Sequence, residues 1–284
     1  MSATNLNKPT WLRAGKYNIK LNRPLIMGIL NVTPDSFHDG GKYFDSKKAI
    51  ARATELVNQG ADIIDLGGES SRPGALPVDL DDELDRVIPV LREISKLDVP
   101  ISIDTNKPEV MRETLNAGAS IINDIYGFRK RGALEVVSTF GAGICIMHMQ
   151  KTPSDMQVKP QYENLVEEIK EFLMERVAAA KDSGISDGRI IIDPGFGFGK
   201  SFDDNMKLFC NLNEFNDLGL ATLVGVSRKS FLGEIANQNN ERLYISVMAG
   251  LMAAQKGINI LRVHDVNATK DPINFLLKVS EYEK

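Results

Sequence analysis

Polar side chains recur at one kind of place in this sequence, directly after a short apolar run: Asn31, Asp65, Asp104, Asn123, His148, Asp193, Ser227 with Arg228 and Lys229, then Arg262 and His264. Singly, each has a plain explanation, since an aspartate after a strand is ordinarily the cap of the next helix and a lone histidine is ordinarily a satisfied core imidazole. Together they divide by chemistry. Asp104, Asn123 and Asp193 supply carboxylate and amide groups for paired hydrogen bonds to a flat, donor-rich heterocycle of the pterin or purine kind, and Lys229 serves a carbonyl or ring nitrogen. Asn31, Arg72, Arg262 and His264 supply donors and positive charge, the equipment for a phosphate group.

Such residues meet only if the elements beneath them run in parallel. The stretch from Pro24 to Gly41, PLIMGILNVTPDSFHDGG, sets the pattern: an apolar run over Leu25 to Leu30 ends abruptly in Asn31, Thr33, Pro34, Asp35 and Ser36, with Gly40 and Gly41 permitting positive φ. Further apolar runs predict strands at 61–66, 99–104, 120–123, 143–148, 189–193, 221–226 and 258–263, eight with the first. Amphipathic patterns predict helices at 46–59, 82–97, 108–117, 132–140, 162–183, 203–212, 241–256 and 272–280. Asp79, Asp81 and Asp82 crowd one helix start, while Gly60, Gly118, Gly184 and Gly257 stand where helices should stop. Pro89 inside a helix predicts a kink.

Eight strand and helix pairs without a linker predict a single-domain (β/α)₈ TIM barrel over residues 25–284, preceded by a 1–24 tail with a short hairpin holding Trp11 and closing one end. In such a barrel every strand's carboxyl end opens on one mouth, where ligands bind.

Composition excludes several classes. The 284 residues are 43% hydrophobic and 25% charged, with a net charge of −4, so there is no overall basic footprint for nucleic acid. No apolar run approaches the ~20 residues of a membrane helix, and MSATNLNKPT lacks the charged and apolar regions of a secretory signal, so a soluble, cytoplasmic protein is expected. Cys145 and Cys210 lack metal spacing and read as small hydrophobes rather than a disulfide. PGFGFGKS, from Pro194 to Ser201, imitates a nucleotide phosphate loop but has proline where the first glycine is needed, and its GxGxG spacing is not GxGxxG.

In order along the chain, MGILNVTPDSF, DLGGESSRPGA, SIDT, IND, DPGFGFGK, GVSRKSFLG and RVHDV resemble the motifs of the dihydropteroate synthase family. The resemblance spans Leu25 to Val266 and implies a (β/α)₈ barrel, a homodimer, and the joining of (7,8-dihydropterin-6-yl)methyl diphosphate to 4-aminobenzoate. The products are 7,8-dihydropteroate and diphosphate. It puts the pterin on Asp104, Asn123, Asp193 and Lys229, and the diphosphate on Asn31, Arg262 and His264, to which the residue chemistry above adds Arg72, with Asn31 a ligand of Mg²⁺. It puts 4-aminobenzoate near Phe37, Ser71, Arg72, Pro73 and Phe198, against Lys229. The carboxylate falls at Ser230, where a helical start would offer free N–H groups. Sulfonamides are expected to compete for that slot. Position 38 is histidine where the family has serine, and position 71 serine where threonine is common.

The aromatic amine carries its own lone pair, so departure of diphosphate is the harder step. Arg262, His264 and Mg²⁺ are expected to neutralise its charge while the pterin supports a cationic methylene in an SN1-like displacement, with Asp39 stabilising that cation. Lys229, Arg262, His264 and Asp39 are thus the catalytic candidates, and His148 reads as structural. A pterin-dependent methyltransferase would need no diphosphate site. A non-catalytic pterin-binding paralogue should have lost loop or anion residues, and Asn31, Arg72, Lys229 and Arg262 are present.

Overall fold

Each strand must hide both faces, because helices cover the outside and side chains fill the inside. The sequence complies. On one face Ile64, Leu66, Ile101, Ile103, Ile122, Ile144, Ile192 and Leu261 join the outer core under the helices, and on the other Met27, Ile63, Ile121, Cys145, Ile191, Leu223 and Ile260 form the inner one. The computed structural model describes residues 8–33, 42–72, 74–152, 156, 160–236 and 242–283, with side chains from 46 in the first helix.

A hairpin of β1 (Trp11–Ala14) and β2 (Tyr17–Lys20) precedes the barrel. The barrel strands are β3 (Leu25–Asn31), β4 (Ile63–Gly67), β5 (Ile101–Asp104), β6 (Ile121–Asp124), β7 (Gly143–Met147), β8 (Ile190–Asp193), β9 (Ala221–Val224) and β10 (Ile260–Val263). They close into a parallel ring in which β10 pairs with β3, the (β/α)₈ arrangement. The helices described are α1 (Lys42–Asn58), α2 (Leu80–Ile94), α3 (Pro108–Asn116), α4 (Ala133–Thr139), α5 (Leu165–Asp182), α6 (Phe202–Cys210), α7 (Ser230–Ile235), α8 (Leu243–Gln255) and α9 (Val266–Tyr282). None of them is long and apolar enough to cross a membrane.

The last helix departs from the sequence expectation. Pro272 is expected to open the last helix, but α9 begins at Val266 and carries Pro272 in its interior, whereas α2 carries Pro89 inside it as expected. In both cases packing outweighs one lost backbone hydrogen bond. The hairpin sits on the amino ends of the strands: Leu12, Ala14 and Leu21 enter the inner core, and the Gly15 N–H donates to the Gly141 carbonyl at 3.1 Å.

Candidate active site

The mouth is built by taking one more step of two residues up each inward strand face. Ile63 is followed by Asp65, Ser102 by Asp104, Ile121 by Asn123, Ile191 by Asp193 and Ile260 by Arg262, so a layer that is apolar but for Ser102 is succeeded by a polar one. Register holds them together, since Asp104 lies opposite both Gly67 and Asn123, and Asn31 lies opposite Gly67.

Arg262 is the centre of this layer. Its Nε donates to Asp65 Oδ2 at 2.6 Å and a terminal nitrogen donates to Asp104 Oδ2 at 2.7 Å. Asp65, wholly buried, also accepts a long 3.5 Å hydrogen bond from the Asn123 amide. Two subsites kept apart by chemistry are therefore not what the side chains form: Arg262, expected beside phosphate, joins the carboxylates, and its guanidinium pKa is raised even though burial opposes this, because Asp65 and Asp104 flank it. Burial lifts the Asp104 carboxyl against the pull of Arg262, with Asp65 adding to the rise. Asp65 stood among the strand-end residues without a role. The signal that singles it out is the two-residue step from Ile63, on the same face as its partner.

Asp193 accepts from the Gly195 N–H at 2.8 Å, and burial pushes its carboxyl up to about 6 despite that bond and the nearby Lys229. Lys229 follows Arg228, whose φ of 58° turns the chain and whose guanidinium is held by Asp265. The Lys229 Nζ lies 4.0 Å from the centroid of the Phe198 ring, and burial, then Arg262, draws its pKa down to about 8. Ser230 is exposed and opens α7, which has only six residues.

His264 is not the cation expected of it. Burial first, then Arg262 and Arg228, lowers its pKa to about 4, so the ring is neutral at physiological pH. Ser227 Oγ stands 3.0 Å from its Nδ1 and accepts the His264 backbone N–H at 3.2 Å. When the hydroxyl donates to Nδ1, the ring proton stands on Nε2.

The second loop leaves β4 through a clamped base: Lys107 binds Glu69 and the buried Glu83, and Arg86 donates to the Gly68 carbonyl at 3.1 Å. Beyond it, Ser71 is half-buried and Arg72 exposed at the rim, with no side-chain contact to the polar layer among the described residues. Phe37, His38, Asp39 and Pro73 lie outside the described residues, as does most of the segment between 151 and 160. His148 is buried, edge-on to Phe172, and beside Lys200, which agrees with a structural role.

For Mg²⁺, the donors on hand are few. No group of three His, Cys, Asp or Glu able to hold a metal occurs among the described residues. Magnesium, however, keeps several waters and leans on substrate phosphates, so one or two protein oxygens suffice. The half-buried Asn31 amide, without a hydrogen-bond partner among the described residues, fits that modest demand.

Residues 27–264 match the family described as pterin binding enzyme. The chain is 46% identical over 254 residues to the dihydropteroate synthase of Escherichia coli strain K12, covering 89% of this chain and 90% of that protein. It is 45% identical over 262 residues to that of Haemophilus influenzae, covering 92% and 95%. Among solved structures it is similar to Xanthomonas albilineans dihydropteroate synthase with 4-aminobenzoic acid, with a TM-score of 0.89 and 44% identity over 95% of this chain and 98% of that one. It is also similar to the Yersinia pestis enzyme in a sulfonamide drug complex, with a TM-score of 0.90 and 41% identity over 95% and 99%. The Burkholderia cenocepacia enzyme complexed with 7,8-dihydropteroate gives a TM-score of 0.88 and 43% identity over 97% and 98%. These likenesses do not favour a methyltransferase or a non-catalytic paralogue.

Proposed function

Since this chain belongs to the dihydropteroate synthase family of pterin-binding enzymes, we propose that its barrel mouth condenses (7,8-dihydropterin-6-yl)methyl diphosphate with 4-aminobenzoate. The observation that carries the reading is the polar layer itself: Asp65, Asp104, Asn123 and Asp193 present acceptors in excess of the donors of Arg262 and Lys229. Asp65 Oδ1 and Asn123 Oδ1 have no hydrogen-bond partner among the described residues. A layer short of donors suits a ring rich in N–H groups.

In this reading Asp104, Asn123, Asp193 and Lys229 orient the pterin. Asn31, Arg72, Arg262 and His264 receive the diphosphate, with His264 donating as a neutral ring through Nε2. The bond between the pterin methylene and the diphosphate oxygen breaks, and its electron pair leaves on oxygen. The aniline lone pair then forms the new C–N bond and the amine gives up a proton to diphosphate or water. Arg262 keeps unused guanidinium donors for the charge that grows on the leaving oxygen, an electrostatic contribution larger in a dry site than in water. Asn31 would hold a magnesium ion arriving with the substrate, and such an ion supplies neutralisation of phosphate charge. Phe37, Ser71, Arg72, Pro73, Phe198 and Ser230 form the aminobenzoate slot, which is also the place for a sulfonamide, and Asp39 belongs near the cationic methylene.

The same reading includes a homodimer. Tyr244, Met248 and Met252 on α8 and Phe275, Val279 and Tyr282 on α9 are exposed at helical spacing on adjacent helices, an apolar face suited to a second copy. It also includes a cytoplasmic address, supported by two free thiols, Cys145 buried and Cys210 exposed. Diphosphate release measured with and without 4-aminobenzoate tests the reaction. Release that depends on the amine is expected, and release indifferent to it would refute the assignment.

A further inference from the structure

The PGFGFGKS stretch, refused as a phosphate loop, reverses that loop's polarity. A phosphate loop turns successive N–H groups inward. Here the carbonyls of Gly195 and Phe198 turn inward instead and accept from the Lys200 ammonium at 2.9 and 3.2 Å, while His148 Nδ1 stands 2.9 Å from the same Nζ. Lys200 is only 2% exposed, so the loop has closed around its own lysine. Three ammonium protons meet three acceptors. The winding requires φ of 71° at Gly195, and a Cβ there would overlap the His148 carbonyl.

Other elements tie the outside of the same loop. The Tyr162 hydroxyl donates to the Gly199 carbonyl at 2.7 Å, and the Gly197 N–H donates to Asn205 Oδ1 at 2.8 Å. On top stands Phe198, 7% exposed, backed by Met147, Met149 and Ile125, with Lys229 over its ring.

We propose that Lys200 is a positioning residue for the reaction: its ammonium holds the loop between β8 and α6 so that Phe198 stays against Lys229 and forms a fixed wall of the aminobenzoate slot. This rests on the function proposed above. Lys200 touches neither substrate and acts through the backbone of Phe198. Burial, then the charge of Lys200, lowers the pKa of His148, which keeps the imidazole neutral and able to accept; burial draws Lys200 itself down to about 7 against the pull of Asp193, and its three acceptors are the groups that favour the ammonium form. An apolar side chain of similar length would fill the space but leave the two carbonyls and the imidazole nitrogen without a donor.

The test is steady-state diphosphate release by the full chain in four forms: parent, Lys200→Met, Phe198→Ala and the double variant. Amine-dependent release by the parent speaks to the function alone, and the variants are then compared with it. Lys200→Met is expected to raise the aminobenzoate KM about tenfold while the pterin diphosphate KM moves less than about threefold, because strand β8 fixes the backbone of Asp193 and the loop reaches its carboxylate only through the Gly195 N–H. In the Phe198→Ala background the same substitution should add nothing. An unchanged aminobenzoate KM in folded Lys200→Met, equal losses in both KM values, or a full effect without Phe198 overturns the proposal. If Lys200→Met does not fold, Tyr162→Phe loosens the same loop from outside. A rise of about threefold in aminobenzoate KM, absent in the Phe198→Ala background, then supports the clamp, and no change overturns it.

Discussion

The two ends of this barrel are made by the same eight strands and differ in almost every other respect. At the amino end the inner faces carry Met27, Ile63, Ile121, Ile191, Leu223 and Ile260, plugged by Leu12, Ala14 and Leu21 of the hairpin. Most polar groups there are paired: Arg23 donates to Asp62, which also accepts the Ile26 N–H, and Thr222 and Asn259 bond to one another, while the buried Ser102 Oγ has no hydrogen-bond partner among the described residues. Two residues higher, the carboxyl end buries Asp65, Asn123 and Asp193 beside Asp104, Lys229 and Arg262, where Asp65 Oδ1 and Asn123 Oδ1 lack donors among the described residues. Burying such groups is costly unless they are paired, so the end that binds is the end that destabilises. The hairpin end offsets that cost with packing.

The largest effect is expected from Arg262→Ala, which strips the shared cation from Asp65 and Asp104. Turnover should fall about 10²–10³-fold, and stability by ~3 to 5 kcal/mol, because two buried carboxylates are left facing each other. Rapid-quench kinetics and denaturant unfolding of one preparation measure both; a variant that loses turnover but no stability would show the ion pairs to be idle in the empty site.

At the opposite end, Leu12→Ala should cost ~2 to 5 kcal/mol of stability by opening a cavity under the hairpin, while activity per folded molecule is unchanged. Loss of kcat at full folding would mean that the two ends are coupled, and the contrast drawn above would fail.

Asp193→Asn is expected to weaken pterin binding by ~1 to 3 kcal/mol. The parent should also release a proton on binding pterin below about pH 6, since the folded carboxyl is raised to about 6 and the bound ring needs the carboxylate. The sign for stability follows from the same shift. Between the ordinary 3.8 and about 6 the folded chain holds a proton that the unfolded chain has lost, so this group's contribution falls as pH rises through that window. Calorimetry in two buffers of different ionisation enthalpy reads the proton directly. Equal heats in the two buffers would count against it.

Ser227→Ala should have the smallest effect, about two- to tenfold in turnover, because it frees His264 to place its proton on either nitrogen without removing the ring. NMR of the ring nitrogens distinguishes the tautomers, and a single Nε2–H form in the variant would show that Ser227 does not select it.

The sequence by itself determined the barrel and the location of the mouth. Leu25–Asn31 and Ile190–Asp193 each run apolar until a polar residue ends the strand, a local pattern that can be read without the rest of the chain. Family motifs added roles to Asp104, Asn123, Asp193 and Lys229, because each lies inside a short conspicuous string. Tertiary structure alone decided the partners. Arg262 and Asp65 are 197 residues apart, and they meet only because β10 closes on β3 and the two-residue pleat aims both inward. His264 reads as a charge in sequence and becomes neutral through burial beside Arg262, a property of surroundings that no string of letters carries. Lys200 has no role in the sequence reading, which sets the phosphate-loop likeness aside, and it becomes the centre of its own loop, because only the folded backbone shows whether the loop's carbonyls or its amides face inward.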